Sequence, residues 1–178
     1  MPKIIAVANQ KGGCGKTTIT RELSACIALR GYRVLAIDCD PQGNLTQSWM
    51  ELDPDAATLA HVLITPERTN AGQTDPLEMG DAIAETPLNG LDLVPTDIRL
   101  ARFEKAPAHA VPRLAAQIRL HSKGYDFVII DCPPQLGVLL TAALYAAEHV
   151  LVPCKADALG LSGLADLAET VREIRRDV

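Results

Sequence analysis

A glycine-rich segment near the start of the chain carries the residues with the clearest chemical meaning. Residues 9–18 read NQKGGCGKTT, in which a lysine and a threonine follow a run of glycines, as in phosphate-binding loops. Glycines let backbone N–H groups turn towards a phosphate, and the N-terminus of a following helix favours negative charge. We predict that Lys16 contacts the β- and γ-phosphates of a nucleotide and that Thr17 offers its hydroxyl to Mg²⁺.

The loop departs from the common pattern G-x-x-x-x-G-K-[ST] at its first position. Counted back from Gly15, the first glycine of that pattern is replaced by Gln10, and a second lysine, Lys11, follows it. Cys14 occupies a variable position, where its small size explains it without any reactivity of its thiol. The residues alone do not explain why a lysine stands on each side of the glycines.

A magnesium–nucleotide site also requires carboxylates at the carboxyl ends of neighbouring strands. Asp131 ends the aliphatic run FVII, and Asp38 and Asp40 follow the run RVLAI in the stretch DCDPQGN. We predict that Asp131 holds the metal through its water shell. Of Asp38 and Asp40, one is expected to orient or polarise the attacking water and the other to support the waters of the metal. The alternative for each aspartate is a turn or helix cap.

The elements that would position these residues alternate between strands and helices. Short aliphatic runs fit strands that are buried on both faces of a parallel sheet. The predicted strands are Lys3–Ala8, Arg33–Ile37, Leu91–Val94, Phe127–Ile130 and His149–Pro153, and the predicted helices are Lys16–Arg30, Ala110–Ser122, Leu136–Ala147 and Leu161–Arg176. Residues 53–89 interrupt this order and are predicted to form short helices and loops. We expect an α/β fold with a parallel sheet and helices on both faces, in a single domain over residues 1–178.

Composition narrows the class of protein further. The chain has 178 residues, 48% of them hydrophobic and only 3% aromatic, so the core must be aliphatic. Its net charge of −5 argues against bulk attraction to nucleic acid, so any DNA contact requires a local basic patch. The five cysteines have no C-x-x-C spacing, which favours free thiols in a reducing cytosol. We find no signal peptide and no apolar run of the ~20 residues that a membrane span needs.

Several segments together resemble the ParA family of partition ATPases with a deviant Walker A motif. The segments are KGGCGKTT, DCDPQGN, LDLVPTDIRLARFE, YDFVIIDCPPQLG and VLVPCKADALGLSGL, in the order and spacing of that family. The resemblance implies a P-loop NTPase fold, ATP and Mg²⁺ as cofactors, and ATP hydrolysis. It covers most of the chain except residues 53–89.

The resemblance also suggests why there are two lysines. In ParA-like proteins the first lysine reaches the phosphates of a partner subunit when two ATP-loaded monomers meet face to face, which assigns that role to Lys11. Dimerisation then depends on the negative charge of the nucleotide. The resemblance further implies hydrolysis by Asp40, an α-phosphate contact by Thr18, and metal binding by Thr17, Asp38 and Asp131. The predicted nucleotide-binding set is Lys11, Gly12, Gly13, Cys14, Gly15, Lys16, Thr17 and Thr18.

The end of the chain departs from the family. ParA proteins continue past the last predicted helix into another strand, further helices and part of their DNA-binding surface, so we expect this chain to lack that C-terminal portion. Apolar residues at helical spacing in the last helix predict packing on the sheet or on a partner. Arg172, Arg175 and Arg176 are candidate DNA contacts, and a solvated helix end is their alternative.

Four functional classes are weighed. The first is an ATP-driven DNA-segregation switch in the cytoplasm at the nucleoid, which binds nonspecific double-stranded DNA as a homodimer and is stimulated by a ParB-type partner. The second is a membrane-associated positioning ATPase like MinD, which needs a basic amphipathic C-terminal helix. The third is a cluster-carrying ATPase like the nitrogenase iron protein, which needs bridging cysteines. The fourth is a nucleotide-binding regulator without turnover. The residues favour the first.

Overall fold

The structure is a computed structural model, and it describes residues 1–64, 77–154 and 167–174. One six-stranded sheet lies at its centre, with the strand order β3-β4-β2-β5-β1-β6. In chain order the strands and helices are β1 (Lys3–Val7), α1 (Lys16–Ala28), β2 (Val34–Asp38), α2 (Asn44–Trp49), α3 (Leu59–Leu63), α4 (Met79–Ala82), β3 (Ala84–Glu85), β4 (Leu91–Val94), α5 (Arg113–His121), β5 (Phe127–Asp131), α6 (Val138–Ala146), β6 (His149–Leu151) and α7 (167–174). Two 3₁₀-helices, Ile98–Lys105 and Ala108–Ala110, lie between β4 and α5.

The predicted α/β class is confirmed, and the sheet is parallel except at one edge. β1 pairs with β5 and β6, and β2 pairs with β4 and β5, all in parallel. The two-residue strand β3 pairs with β4 in the antiparallel direction. Sequence reasoning did not find β3, because a strand of two residues carries no recognisable alternation of apolar and polar residues.

Aliphatic strands separate two cores, one on each face of the sheet. Leu35 and Ile37 of β2 pack into the core that also holds residues of α5 and α6. Val34 and Ala36 of the same strand pack with residues of α1 and α2 on the opposite face. Because successive side chains of a strand point to opposite faces, both faces need apolar residues, and the runs are continuous.

The structure confirms the predicted glycine after α1 and changes the bounds of one predicted helix. Gly31 follows α1 with φ of 89°, in the left-handed region, as predicted for a helix-ending glycine. The predicted helix at 110–122 instead begins at Arg113, after the short 3₁₀-helix. Residues 53–64 and 77–89 form the short helices α3 and α4 with loops, as expected, together with β3. Residues 65–76 of that segment lie outside the described residues.

The sequence reasoning missed two further helical segments. Helix α2 and the 3₁₀-helix Ile98–Lys105 follow β2 and β4 at the same edge of the sheet as the predicted site. Both are short, and their apolar residues are too few for a sequence window to reveal a period. They matter because each supplies contacts to the site described next.

Candidate nucleotide-binding site

The glycine-rich loop joins β1 to the N-terminus of α1, as the motif requires. Gly13 and Gly15 have φ of 68° and 91°, a left-handed conformation that favours glycine. A Cβ atom built at Gly12, Gly13 or Gly15 would meet no atom within 4 Å. Gly13 and Gly15 are therefore needed for backbone conformation, and the space beside the loop is open for a ligand.

Asn9 anchors the beginning of the loop to the end of the sheet. Its Oδ1 accepts a hydrogen bond from the Lys11 N–H at 2.9 Å. Its Nδ2 donates to the carbonyl of Pro153 at 2.6 Å, beyond β6. Asn9 is buried, so this amide fixes the path of the loop where Lys11 begins. Sequence reasoning missed Asn9, and the signal was a polar residue directly after an aliphatic strand.

The two loop lysines occupy different environments. Lys16 is buried at the first position of α1, and its Nζ lies 3.5 Å from the carbonyl oxygen of Lys11. Lys11 is half-buried at the beginning of the loop. A buried ammonium at a helix N-terminus adds positive charge to the positive end of the helix dipole, so the pair creates a strong anion site.

Asp131 ends β5 directly behind the loop. Its Oδ1 accepts a hydrogen bond from the Thr20 hydroxyl at 3.2 Å, and the Thr17 side chain is near enough to lower the pKa of its carboxyl. Burial, with a contribution from the charge of Asp40, raises the pKa of Asp131 to about 6 against the opposing effects of Thr17, Thr20 and Lys16. Thr20, which the sequence reasoning missed, lies one helical turn after Lys16.

Asp38 is fully buried at the end of β2, where it organises the neighbouring segments. Its Oδ2 accepts from the N–H and the hydroxyl of Thr46 at 2.8 and 2.7 Å, and its Oδ1 accepts from the Asp40 N–H at 3.2 Å. The Thr46 hydroxyl oxygen in turn accepts from the Thr96 N–H at 3.0 Å. Burial raises the pKa of Asp38 to about 7 despite the bonds from Thr46. Both carboxylate oxygens thus serve the protein itself, and the metal role of Asp38 stays a prediction.

Asp40 lies beside Asp131 in the turn after β2. Its Oδ1 accepts from the Gln42 N–H at 3.0 Å, and its carbonyl accepts from the Gly43 N–H at 2.9 Å. Its charge reaches Asp131, since it contributes to the raised pKa of that residue. Asp40 therefore caps the turn, as the alternative interpretation expects. Its other carboxylate oxygen can still accept a hydrogen bond from a water.

The arrangement fits a nucleotide with Mg²⁺. Among the described residues, the buried atoms Asp131 Oδ2 and Gln10 Nε2 have no hydrogen-bond partner, so the site holds an acceptor and a donor without partners. No three histidine, cysteine or acidic side chains in the described ranges converge on a point that would hold a metal. Mg²⁺ keeps several waters and takes ligands from phosphates, so two side chains such as Thr17 and Asp131 fit the predicted role without a larger cluster.

A contact outside the loop fixes the segment that follows Asp131. Glu104 accepts from the N–H groups of Val138 and Leu139 at 2.7 and 3.3 Å, which caps the N-terminus of α6. A Cβ atom at Gly137 would overlap the carboxylate of Glu104. Glu104 and Gly137 both lie in segments of the ParA resemblance, and a residue larger than glycine at 137 would displace the Glu104 carboxylate.

The predicted DNA contacts lie away from this geometry or beyond the described residues. Arg172 is exposed on α7 and lines an otherwise apolar groove of about 260 Å³ with Val150, Val152 and Leu167. Arg175 and Arg176 lie outside the described residues. The part of the chain that the structure describes has no helix long and apolar enough to cross a membrane.

Known proteins are similar to this chain in sequence and in fold. A protein-family model described as an AAA domain matches residues 2–178. The sporulation initiation inhibitor protein Soj of Bacillus subtilis is 37% identical over 99% of this chain and 67% of its own length. The chromosome-partitioning ATPase Soj of Thermus thermophilus is 40% identical over 96% of this chain and 62% of its own.

A solved structure extends the similarity to the fold. Cobyrinic acid a,c-diamide synthase from Mycobacterium smegmatis, with a bound ATP analogue and magnesium, has a TM-score of 0.85 at 34% identity, over 99% of this chain and 69% of that one. The chain spans 53% to 67% of the length of the first curated relatives that it matches. With the loop, the aspartates and these relatives in agreement, the chain belongs to this AAA-domain family and, within it, to the ParA-type P-loop proteins.

Proposed function

We propose that the chain binds and hydrolyses Mg²⁺–ATP and acts as an ATP-dependent switch in DNA partition. The observation that carries the proposal is the buried carboxylate of Asp131, whose Oδ2 lacks a partner among the described residues. Such an oxygen costs stability unless a ligand or its waters compensate it. A relative named as a chromosome-partitioning ATPase and a neighbour solved with an ATP analogue and magnesium support this interpretation.

Each site residue has a role in the proposed reaction. The buried Lys16 and the N–H groups of the glycine-rich loop bind the β- and γ-phosphates. Thr17 and Asp131 hold Mg²⁺ directly and through water, with Asp38 supporting its waters. Asp40 orients the attacking water, and Thr18 contacts the α-phosphate. Electrostatic stabilisation of the transferring phosphoryl group contributes most of the rate.

The proposed switch uses Lys11 between two subunits. In the ATP state two copies meet face to face, and Lys11 of one copy contacts the phosphates of the other. The dimer binds nonspecific double-stranded DNA, which places it at the nucleoid, and a ParB-type partner stimulates hydrolysis. Hydrolysis removes the γ-phosphate, and with it the attraction that holds Lys11 across the interface. The Thermus thermophilus relative is named for chromosome partitioning, and none of the proteins reported above is named for membrane positioning, so the MinD-like alternative is not favoured.

The test measures mass by light scattering and duplex DNA binding by fluorescence anisotropy, each with ATP–Mg²⁺, with ADP and without nucleotide. The wild type should dimerise and bind DNA only with ATP. Asp40→Ala should retain the dimer longer because hydrolysis is slowed. Lys11→Ala should bind a fluorescent ATP analogue normally and yet remain monomeric.

Two results would contradict the proposal in different places. Loss of ATP-analogue binding in Lys11→Ala would mean that this lysine serves its own nucleotide and not that of a partner. A wild type that binds ATP without any change in mass would rule out the dimer switch for this chain while leaving the nucleotide site intact.

A further inference from the structure

One side of helix α1 is buried in the protein. Its buried positions lie four residues apart and therefore on the same side of the helix. They are Lys16, Thr20, Ser24 and Ala28. Helix α1 packs on β5, which ends at Asp131. The fully buried Thr20 thus lies one turn after the lysine that is predicted to bind phosphate, close to the end of β5.

The Thr20 hydroxyl lies within reach of two acceptors. Its Oγ1 is 3.0 Å from the carbonyl oxygen of Lys16 and 3.2 Å from Asp131 Oδ1. A hydroxyl has one hydrogen, so it donates to one acceptor at a time. The Lys16 carbonyl already accepts the backbone N–H four residues later in the helix, and an ionised carboxylate is the stronger acceptor. The Thr20 hydrogen is therefore directed to Asp131.

The two carboxylate oxygens of Asp131 differ in their partners. Oδ1 accepts from Thr20, whereas Oδ2 is buried and has no hydrogen-bond partner among the described residues. The backbone here is fixed, because the Asp131 carbonyl accepts from the Cys39 N–H at 3.0 Å. The terminal torsion of an aspartate is broad and roughly two-fold, so rotamer preference does not decide which oxygen faces a ligand. The hydrogen bond from Thr20 supplies that restraint.

We propose that Thr20 is a positioning residue for the Mg²⁺ site. By holding Oδ1 of Asp131, it leaves Oδ2 as the oxygen that a bound Mg²⁺ and its waters can use. This inference rests on the proposed ATPase function and adds to it a residue that acts through Asp131. Hydrogen-bond partners of a metal-binding carboxylate orient it, and removing such a partner lowers metal affinity by about 10- to 100-fold.

The alternative is that the Thr20 hydroxyl has a structural role only. Ser24, on the same side of α1, is equally buried, and its Oγ has no hydrogen-bond partner. Burial on this side of the helix therefore does not by itself impose a contact with the sheet. Thr20 differs from Ser24 because its hydroxyl meets the carboxylate whose second oxygen is left without a partner. The two hydroxyls thus provide a matched comparison within one helix.

The test measures how the affinity for a fluorescent ATP analogue depends on the concentration of Mg²⁺. Thr20→Val removes the hydroxyl and nearly keeps the shape of the side chain, whereas Thr20→Ser keeps the hydroxyl. Ser24→Ala is the matched control, because it removes an equally buried hydroxyl that has no partner. Each variant is also titrated with the analogue in EDTA, without Mg²⁺. Thermal unfolding checks that each variant is folded.

The expected result is a shift in the Mg²⁺ dependence alone. Thr20→Val should need about ten-fold more Mg²⁺ than the wild type for the half-maximal gain in affinity. Its affinity in EDTA should equal that of the wild type, because Lys16 and the loop bind the phosphates. Thr20→Ser and Ser24→Ala should both follow the wild-type Mg²⁺ curve. A Thr20→Val variant that unfolds at a lower temperature but keeps the wild-type Mg²⁺ curve would show a structural role only and overturn the inference.

Other outcomes separate the inference from the function on which it rests. If the wild type binds the analogue equally with and without Mg²⁺, the predicted metal site is wrong, and the role of Thr20 is wrong with it. If the wild type depends on Mg²⁺ and Thr20→Val does so identically, only the role of Thr20 is overturned. An equal shift in Ser24→Ala would assign the effect to the packing of α1 and also overturn that role. If Thr20→Val is unfolded, Thr20→Ala removes the same hydroxyl and should show the same shift.

Discussion

Polar residues at the two ends of the strands differ in whether their side chains have hydrogen-bond partners. At the carboxyl ends of the strands, Asp38 and Asp131 are fully buried, and Asp131 Oδ2 has no partner among the described residues. At the amino ends, the Tyr125 hydroxyl donates to Asp92 Oδ2 at 2.7 Å, and the Arg33 guanidinium lies 5.0 Å from the Tyr125 ring centre. We call these the carboxyl edge and the amino edge.

This difference in hydrogen bonding indicates which edge of the sheet binds a ligand. A buried oxygen without a partner costs ~1–3 kcal/mol, so such an atom persists where a ligand or ordered water compensates it. At the amino edge, the side chains of Tyr125, Asp92 and Arg33 contact one another, and none of the three has a buried side-chain atom without a partner. The comparison predicts that substitutions at the carboxyl edge change nucleotide binding and that those at the amino edge change only stability.

The largest expected effect is the loss of ATP binding in Lys16→Ala. The buried ammonium supplies the charge that meets the β- and γ-phosphates, so we expect ATP affinity and turnover to fall by ~10²–10³-fold. Isothermal titration with ATP–Mg²⁺ measures the affinity. Lys123→Ala, an exposed lysine at the amino edge, is the matched control and should bind ATP as the wild type does. Equal affinities in the two variants would contradict the division between the edges.

Gly137→Ala should produce the next largest effect, on stability. The added Cβ overlaps the Glu104 carboxylate and displaces it from the N–H groups of Val138 and Leu139. The Glu104 side chain is flexible and can move aside, so the lost helix cap should account for the effect and lower the free energy of unfolding by roughly 0.5–2 kcal/mol in urea titrations. Gly12→Ala meets no atom within 4 Å and serves as the control for stability. Wild-type stability in Gly137→Ala would mean that the Glu104 cap is dispensable.

Much of this site could be predicted from sequence, because its chemistry lies in short contiguous motifs. The loop from Lys11 to Thr18 and the aspartates after two aliphatic strands carry their signal in residue type and spacing. The five longer strands could likewise be located, because burial on both faces requires continuous aliphatic runs. These strands and the long helices occur in the predicted order over the described residues, with β3, α2 and the 3₁₀-helices as additions.

The residues that were missed act across long separations in the chain. Glu104 caps a helix that begins more than thirty residues later, and Asn9 holds the carbonyl of Pro153 across the sheet. Thr46 joins Asp38 to Thr96 through its hydroxyl. Each is a common polar residue whose partner is fixed only by the tertiary fold, so its own neighbours in sequence give no signal.

A smaller effect is expected from a substitution of Asp97. This residue lies at the carboxyl edge, but its carboxylate accepts hydrogen bonds from Thr58 and Arg99. Its partial burial would raise its pKa, but bonds from Arg99 and Thr58 outweigh this and lower the pKa to about 2, from the ordinary 3.8. A lowered pKa stabilises the fold above pH ~4, and this contribution is lost as the pH falls towards 2. Asp97→Asn should therefore cost about 1 kcal/mol at pH 7.

The pH dependence of that cost is the sharper measurement. Urea titrations of the wild type and of Asp97→Asn should differ at pH 6 and converge between pH 4 and pH 2, because protonation removes the charge that the variant lacks. Other carboxylates titrate in both proteins and cancel in the difference. A gap that stays constant down to pH 2 would mean that the ionised form of Asp97 contributes nothing.

The smallest effect is expected at the amino edge, in Tyr125→Phe. Burial and the neighbouring Asp92 raise the pKa of Tyr125 well above its ordinary value, so its hydroxyl stays protonated and donates to Asp92. Removing the hydroxyl leaves Asp92 within 3.9 Å of the Arg33 guanidinium and accessible to water. The loss should be roughly 0.5 kcal/mol in urea titrations, without any change in ATP affinity. Asp92 lies on β4, and Asp131 lies two strands away on β5. A change in ATP affinity would therefore show that the amino edge is coupled to the nucleotide site over that separation.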